Sequence, residues 1–381
     1  MVQFRSEGRV PGRRRIGRVA ARVVLAMTLV AVLAGSDSSR AGDVRRGADL
    51  SFLPRVEAGG GVFRVDGQAV DLVEFLASRG LDVVRLRIWH TPDDASSGSA
   101  AMLALGERAA RAGLDVMLAF HYSDTWADPG RQDPPRAWRG DSLAAHGDSV
   151  RSHTRDVTRR FIDRGIPLES VQIGNEITNG MLWPVGRVGG GDDRARQWEA
   201  LATLLRAAIE GVEAATTETP RPPIVVHVDR GGDPDGARWF FDNLARFRLD
   251  FDRIGLSYYP WWHGTLDDLE TTVDALVERY DKPVTIVETA YPWTLDWFDD
   301  THNPVGRPEQ LLASFAATPD GQRRFAAELV ARLRTREAFT GVHWWAPEWI
   351  AAPGFGSAWE NVALFDPEGR PLPALDAFLA P

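Results

Sequence analysis

From about Arg45 onward the chain alternates short apolar runs with longer amphipathic stretches. The short runs are Gly47–Ser51, Val83–Trp89, Val116–Tyr122, Val171–Glu176, Ile224–Asp229, Ile254–Tyr259, Val284–Thr289 and Val342–Trp345. Several are β-branched and apolar at both parities, the pattern of strands covered on both faces. Between them Asp71–Arg79, Met102–Ala112, Val150–Arg164, Ala195–Ala214 and Asp320–Arg334 carry apolar residues at helical spacing. Eight strands alternating with helices predict an α/β fold, a (β/α)8 barrel over residues 45–381 with extended βα loops. A doubly wound sheet is the runner-up, but it usually lacks polar residues at so many strand ends. No linker, low-complexity tract or short repeat divides this region.

The N-terminus follows a different pattern. Arg13, Arg14, Arg15, Arg18 and Arg22 precede an apolar stretch, Val23 to Gly35, and then a small, polar segment with Ser39-Arg40-Ala41. This order predicts a secretory signal over residues 1–41 and an extracellular mature protein. The apolar run is shorter than the roughly 20 residues of a comfortable bilayer span, so no stable membrane association is expected. An uncleaved anchor is the alternative, and the arginines do not separate twin-arginine from general secretory export.

Charge and composition narrow the partners. The formal net charge is −9, and the first 41 residues hold eight arginines against two acidic residues, so the remainder carries −15. A surface this acidic, with no basic stripe, excludes nucleic acid and anionic lipid as partners. The chain has no cysteine, which excludes disulfides, thiolate zinc sites and a thiol nucleophile. Fourteen tryptophans hint at sugar rings stacked on flat faces, although tryptophan also fills cores.

The chemistry is sought where such barrels keep it, at the C-terminal ends of the strands. Those ends read Arg85 to Trp89, Phe120 to Asp124, Gly174-Asn175-Glu176, His227-Val228-Asp229, Ser257-Tyr258-Tyr259, Val287-Glu288-Thr289 and His343-Trp344-Trp345. Glu176 and Glu288 close otherwise apolar strands, and an unpartnered buried carboxylate costs several kcal/mol. The fourth and seventh strands face each other across the mouth. Two carboxyl groups about 5 Å apart suit double displacement at an anomeric carbon, one protonated and one ionised. Arg87 and Tyr258 are expected to hold Glu288 ionised, with Glu176 kept neutral in a less polar pocket.

Longer blocks sharpen the reading. They are His121 to Gly130 (HYSDTWADPG), Gly174 to Pro184 (GNEITNGMLWP), Gly255 to Pro260 with Trp262-His263-Gly264, Val287 to Pro292, and Trp359-Glu360-Asn361. Together they resemble glycoside hydrolase family 53, the arabinogalactan endo-β-1,4-galactanases, from about Gly47 to Phe378. The resemblance implies hydrolysis of internal β-1,4-galactosyl linkages in galactan, the side chains of pectin known as type I arabinogalactan. It implies Glu176 as proton donor, Glu288 as nucleophile and Asn175 on the sugar 2-hydroxyl. It also implies substrate contacts from His121, Asp124, Trp126, Trp89, Asn179, Tyr258, His263 and Trp345, beside Arg87, in a monomer needing no cofactor.

Two places depart from the family pattern. Trp345-Ala346-Pro347-Glu348-Trp349 has its glutamate two positions late, and Arg230 stands where a smaller or neutral residue is expected. Some bacterial members hold a structural calcium, for which Asp299, Asp300, His302 and Asn303 are the candidate ligands, against a plain solvated turn. Gly189 to Asp193 lacks a following lysine and reads as a loop, not a phosphate cradle. The eight histidines lack metal-ligand spacing. In Trp261-Trp262 and Trp344-Trp345 one member of each pair must point away from the rim. The rival readings are a mannanase, xylanase or glucanase on the same barrel, and a non-catalytic glycan-binding barrel.

Overall fold

The computed structural model describes residues 44–190 and 194–380. The leader expected over residues 1–41, and the end of the loop at Gly191-Asp192-Asp193, lie outside the described residues. Eight parallel strands close into a barrel: β1 (Arg45–Asp49), β2 (Val83–Ile88), β3 (Asp115–Phe120), β4 (Leu168–Ile173), β5 (Ile224–Val228), β6 (Arg253–Tyr258), β7 (Val284–Thr289) and β8 (Phe339–Trp345). Each pairs with its neighbour in sequence, and β1 pairs with both β2 and β8 to seal the ring. The helices α1 (Leu72–Ser78), α2 (Ser99–Arg111), α3 (Leu143–Asp163), α4 (Arg194–Ala215), α5 (Pro234–Ala245), α6 (Leu266–Tyr280), α7 (Pro319–Arg334) and α8 (Pro373–Leu379) follow the strands. Their starts are set chemically. Asp71, Ser142, Asp233, Thr265 and Thr318 each accept an orphan backbone N–H of the first turn, and Pro234 and Pro319 follow two of these caps.

Outward-facing strand residues join the helices in one continuous apolar layer. Inside the barrel, Val83, Met117, Val225 and Val287 form a separate apolar floor. Gly255 faces this floor, because a Cβ there would meet Val225 and Val287. Above it the buried inward positions turn polar: Asp49, Arg85, Gln172, His227 and Ser257. Polar groups are costly to bury unless they satisfy one another, so this layer marks where the barrel gives up packing for chemistry.

Several strands stop earlier than the sequence pattern suggests. Trp89, His121, Tyr122, Asn175, Glu176, Asp229 and Tyr259 all lie just past the ends of their strands. At Tyr122, Gly174 and Glu176 the backbone enters the positive-φ region and leaves the ladder. Among the described residues no helix is long and apolar enough to cross a bilayer.

Candidate active site

Glu176 reaches the barrel mouth through a backbone turn. Strand alternation alone would send Asn175 and Glu176 to opposite sides. Instead β4 ends at Ile173, Gly174 takes φ +89°, and Glu176 adopts a left-handed conformation, φ 47° and ψ 50°. A non-glycine residue held there stores on the order of 1–3 kcal/mol. Its surroundings hold it in place. Asn175 Nδ2 donates to Ala127 O at 2.9 Å, and its Oδ1 accepts from Arg85 at 2.9 Å and Gln172 at 3.0 Å. Gln132 donates to Asn175 O at 2.9 Å, and Ser257 Oγ donates to Glu176 Oε1 at 2.6 Å.

Glu288 reaches the same space by a different irregularity. On β7, Ile286 faces the helices and Val287 the floor, so regular alternation would turn Glu288 outward. The register against β6 jumps instead from Leu256↔Ile286 to Ser257↔Glu288, which inserts one residue into β7 and turns Glu288 inward. Arg85 pairs with its Oε1 at 2.9 Å and Tyr259 Oη donates to its Oε2 at 3.0 Å.

The direct partners of Glu288 are therefore Arg85 and Tyr259 in place of the expected Arg87 and Tyr258, while the charge of Arg87 acts on Glu288 from further away. Tyr258 is on the outward parity of β6, and its hydroxyl donates to Gly264 O at 3.0 Å. Arg87 shares the parity of Arg85 but sits two residues, about 6.6 Å, further along β2. Its guanidinium lies 4.1–4.5 Å from the ring centres of Phe52, Trp89 and Trp126. Burial pushes it down to about 10.

The two carboxyl groups are separated electrostatically. Burial raises Glu176 well above the ordinary carboxylate range, and the neighbouring charges of Glu288, Asp229 and Asp128 add to this. Burial also raises Glu288, but Arg85 and Tyr259 favour its ionised form and oppose the shift. Their surroundings thus favour the ionised form at Glu288 more than at Glu176. Burial and Arg85 hold His227 neutral, and burial and Arg87 hold His121 neutral.

Both glutamates line one cavity of about 280 Å³ together with Asn175, His121, Trp126 and Trp345. Trp262, from one of the two tryptophan pairs, also lines it, as do Tyr259, Asp128, Trp349 and Trp359, which were not singled out as contacts from the sequence. Trp89, Asp124, Asn179 and His263, expected as substrate contacts, do not line this cavity. Trp89 stands edge-on to Trp126, Asp124 accepts from Thr91 N and Arg136 N, Asn179 donates to Pro129 O, and His263 Nδ1 accepts from Tyr259 N. Of the adjacent tryptophans, Trp262 and Trp345 face the cavity, while Trp344 is buried and donates to Val362 O.

The displaced Glu348 lies beneath the rim, fully buried, and accepts from Phe52 N at 3.0 Å. Arg230 turns to Asp233 at 3.4 Å and Asp229 at 3.8 Å, so its charge is met locally. Within the Asp299–Asn303 segment the described side-chain contacts run to several partners. Both Asp299 oxygens accept backbone N–H groups, from Thr301 and Ser357, while Asn303 turns to Glu360 and His302 stands edge-on to Trp297. Among the described residues no three acidic or histidine side chains gather as a metal site, so calcium enters no step below.

The sequence profile of glycosyl hydrolase family 53 matches residues 45–378. An arabinogalactan endo-beta-1,4-galactanase of Humicola insolens is 34% identical over 345 residues, 87% of this chain and 98% of that protein. The catalytic domain of an Ignisphaera aggregans family 53 enzyme superposes with a TM-score of 0.81 at 35% identity, covering 88% of this chain and 96% of that one. A fungal beta-1,4-galactanase structure gives a TM-score of 0.78 at 30% identity, covering 88% and 99%.

Proposed function

The chain belongs to glycosyl hydrolase family 53, and on that premise we propose that it is a secreted, retaining endo-β-1,4-galactanase acting on type I arabinogalactan. The names of the Humicola and fungal relatives support the substrate. The leader-like N-terminus supports export, and a neutral galactan suits an acidic protein.

One observation carries the retaining mechanism. Glu176 hydrogen-bonds Ser257, and Ser257 is the direct cross-strand partner of Glu288. Adjacent strands lie about 4.8 Å apart. This neighbourhood of the two glutamates supports the close carboxyl spacing, about 5 Å, that double displacement uses, rather than the wider spacing of inverting enzymes.

In this reading Glu288, ionised beside Arg85, attacks the anomeric carbon of the sugar. Glu176 gives its proton to the glycosidic oxygen as that bond breaks. The glycosyl-enzyme ester removes the Glu288 charge, one of the charges that raise Glu176, so Glu176 becomes a base. It then takes a proton from water, which attacks the anomeric carbon and frees Glu288. The aromatic walls bind the neighbouring galactosyl rings, and the protein acts as a monomer without a cofactor.

Reducing-sugar release from unbranched β-1,4-galactan, beside mannan, xylan and β-glucan, tests this proposal. Short oligosaccharides from galactan alone are expected. Turnover of another polymer would overturn the substrate, and inactivity of folded enzyme on all four would overturn the enzymatic reading.

A further inference from the structure

We propose that Ser257 and His227 are positioning residues that keep the transferable proton of Glu176 on Oε2, the carboxyl oxygen turned away from Ser257. The inference rests on Glu176 as the acid/base. It starts from a short buried chain. Ser257 Oγ lies 2.6 Å from Glu176 Oε1 and 2.9 Å from His227 Nε2. His227 Nδ1 lies 3.3 Å from Glu176 N and 3.1 Å from Asn175 Oδ1.

His227 Nδ1 either accepts from the Glu176 N–H or donates to Asn175 Oδ1, so the chain can run in two directions. In the first, His227 Nε2–H donates to Ser257, Ser257 donates to Glu176 Oε1, and Nδ1 accepts the Glu176 N–H. Oε1 is then occupied as an acceptor, and a proton on the carboxyl group must sit on Oε2. In the second, Glu176 is protonated on Oε1 and donates to Ser257, Ser257 donates to Nε2, and Nδ1–H points at Asn175 Oδ1. That proton is buried against Ser257, where no leaving group reaches it.

The neighbours select the first direction. Asn175 Oδ1 already accepts from Arg85 and Gln172, so its two lone pairs are engaged. The second direction would also set the Glu176 N–H against an imidazole N–H, leaving a buried donor unpaired. During turnover the proton on Oε2 goes to the glycosidic oxygen, and a proton from water later returns to Oε2. The chain protons stay where they are.

The groups facing Glu176 are Glu288 on β7, Asp229 after β5, Asp128 after β3, and Ser257 and Tyr259 at the end of β6. Removing the Ser257 hydroxyl leaves the others in place and takes away a donor that favours the ionised carboxylate. Ser257→Ala is therefore expected to lose about tenfold in kcat on galactan with little change in KM. The alkaline limb of its pH profile moves to higher pH. Its kcat/KM on a dinitrophenyl β-galactobioside, whose leaving group needs no proton, stays near that of the parent.

Equal losses on both substrates with an unmoved limb would overturn the proposal, as would no loss at all. Independently of that variant, 15N NMR of the parent enzyme is expected to find His227 as the Nε2–H tautomer, its signal assigned by loss in His227→Asn. An Nδ1–H tautomer would overturn the proposal. A parent enzyme inactive on both substrates would instead overturn the reading of the site.

Discussion

Arg85 and Glu288 meet at 2.9 Å in the barrel mouth, with 1% and 7% of their side chains accessible. The same guanidinium reaches Asp49 at 2.6 Å, Gln172 at 3.0 Å and Asn175 at 2.9 Å. One cation thus ties β1, β4 and β7 together beneath the reacting groups. It also sets the difference between the two glutamates, since Glu288 has this partner while Glu176 faces acids.

Arg85→Ala should affect stability and pH dependence together. Removing one partner of a buried pair leaves uncompensated carboxylates, which costs about 3–5 kcal/mol. The opposition to burial at Glu288 disappears, so its pKa rises and the acidic limb of activity moves to higher pH. Chemical denaturation and a pH–rate profile check the two effects, and a limb unmoved in folded protein would contradict the assignment.

Glu176→Gln and Glu288→Gln should fail differently. Both are expected to lose at least about a hundredfold on galactan, since general acid catalysis alone is worth about 10²–10⁴. Only Glu176→Gln should keep rapid glycosylation by the dinitrophenyl galactobioside, because that leaving group departs without a proton. Stopped-flow measurement of dinitrophenolate release distinguishes them. A burst from Glu288→Gln would reverse the roles.

Asp229→Asn removes a negative charge that raises Glu176. The asparagine oxygen can still accept the hydroxyl of Thr178, which donates to Asp229. Glu176 should then release its proton at lower pH, and the alkaline limb should move down. The pH profile of kcat/KM on galactan reads this directly.

Trp262 lines the cavity yet is 57% exposed, the surface expected of a sugar platform. Trp262→Ala should raise KM severalfold with kcat little changed, because a uniform binding contact is lost. A fall in kcat at constant KM would place Trp262 in transition-state stabilisation instead.

The barrel was legible because buried parallel strands are apolar at both parities and recur at regular intervals. Glu176 and Glu288 stood out as carboxylates ending such strands. Their inward direction was not legible, since it depends on a left-handed residue at Glu176 and an inserted residue in β7. The same limit explains the partners of Glu288. Tyr258 and Tyr259 differ by strand parity, and Arg85 and Arg87 by one layer of the barrel, neither of which composition reports. Trp349 and Trp359 reach the cavity from the loop after β8, whose path is set by packing distant in sequence. Acidic composition at Asp299–Asn303 likewise said nothing about where those oxygens point.

Double displacement between Glu176 and Glu288 leaves the newly freed galactan end in the β configuration of the bond cleaved. Time-resolved 1H NMR of the reducing ends first released from β-1,4-galactan tests it most directly. The β-anomer is expected to appear first and then to mutarotate to the equilibrium mixture. First appearance of the α-anomer would contradict double displacement, because that outcome requires single displacement by a water placed between the two carboxyl groups.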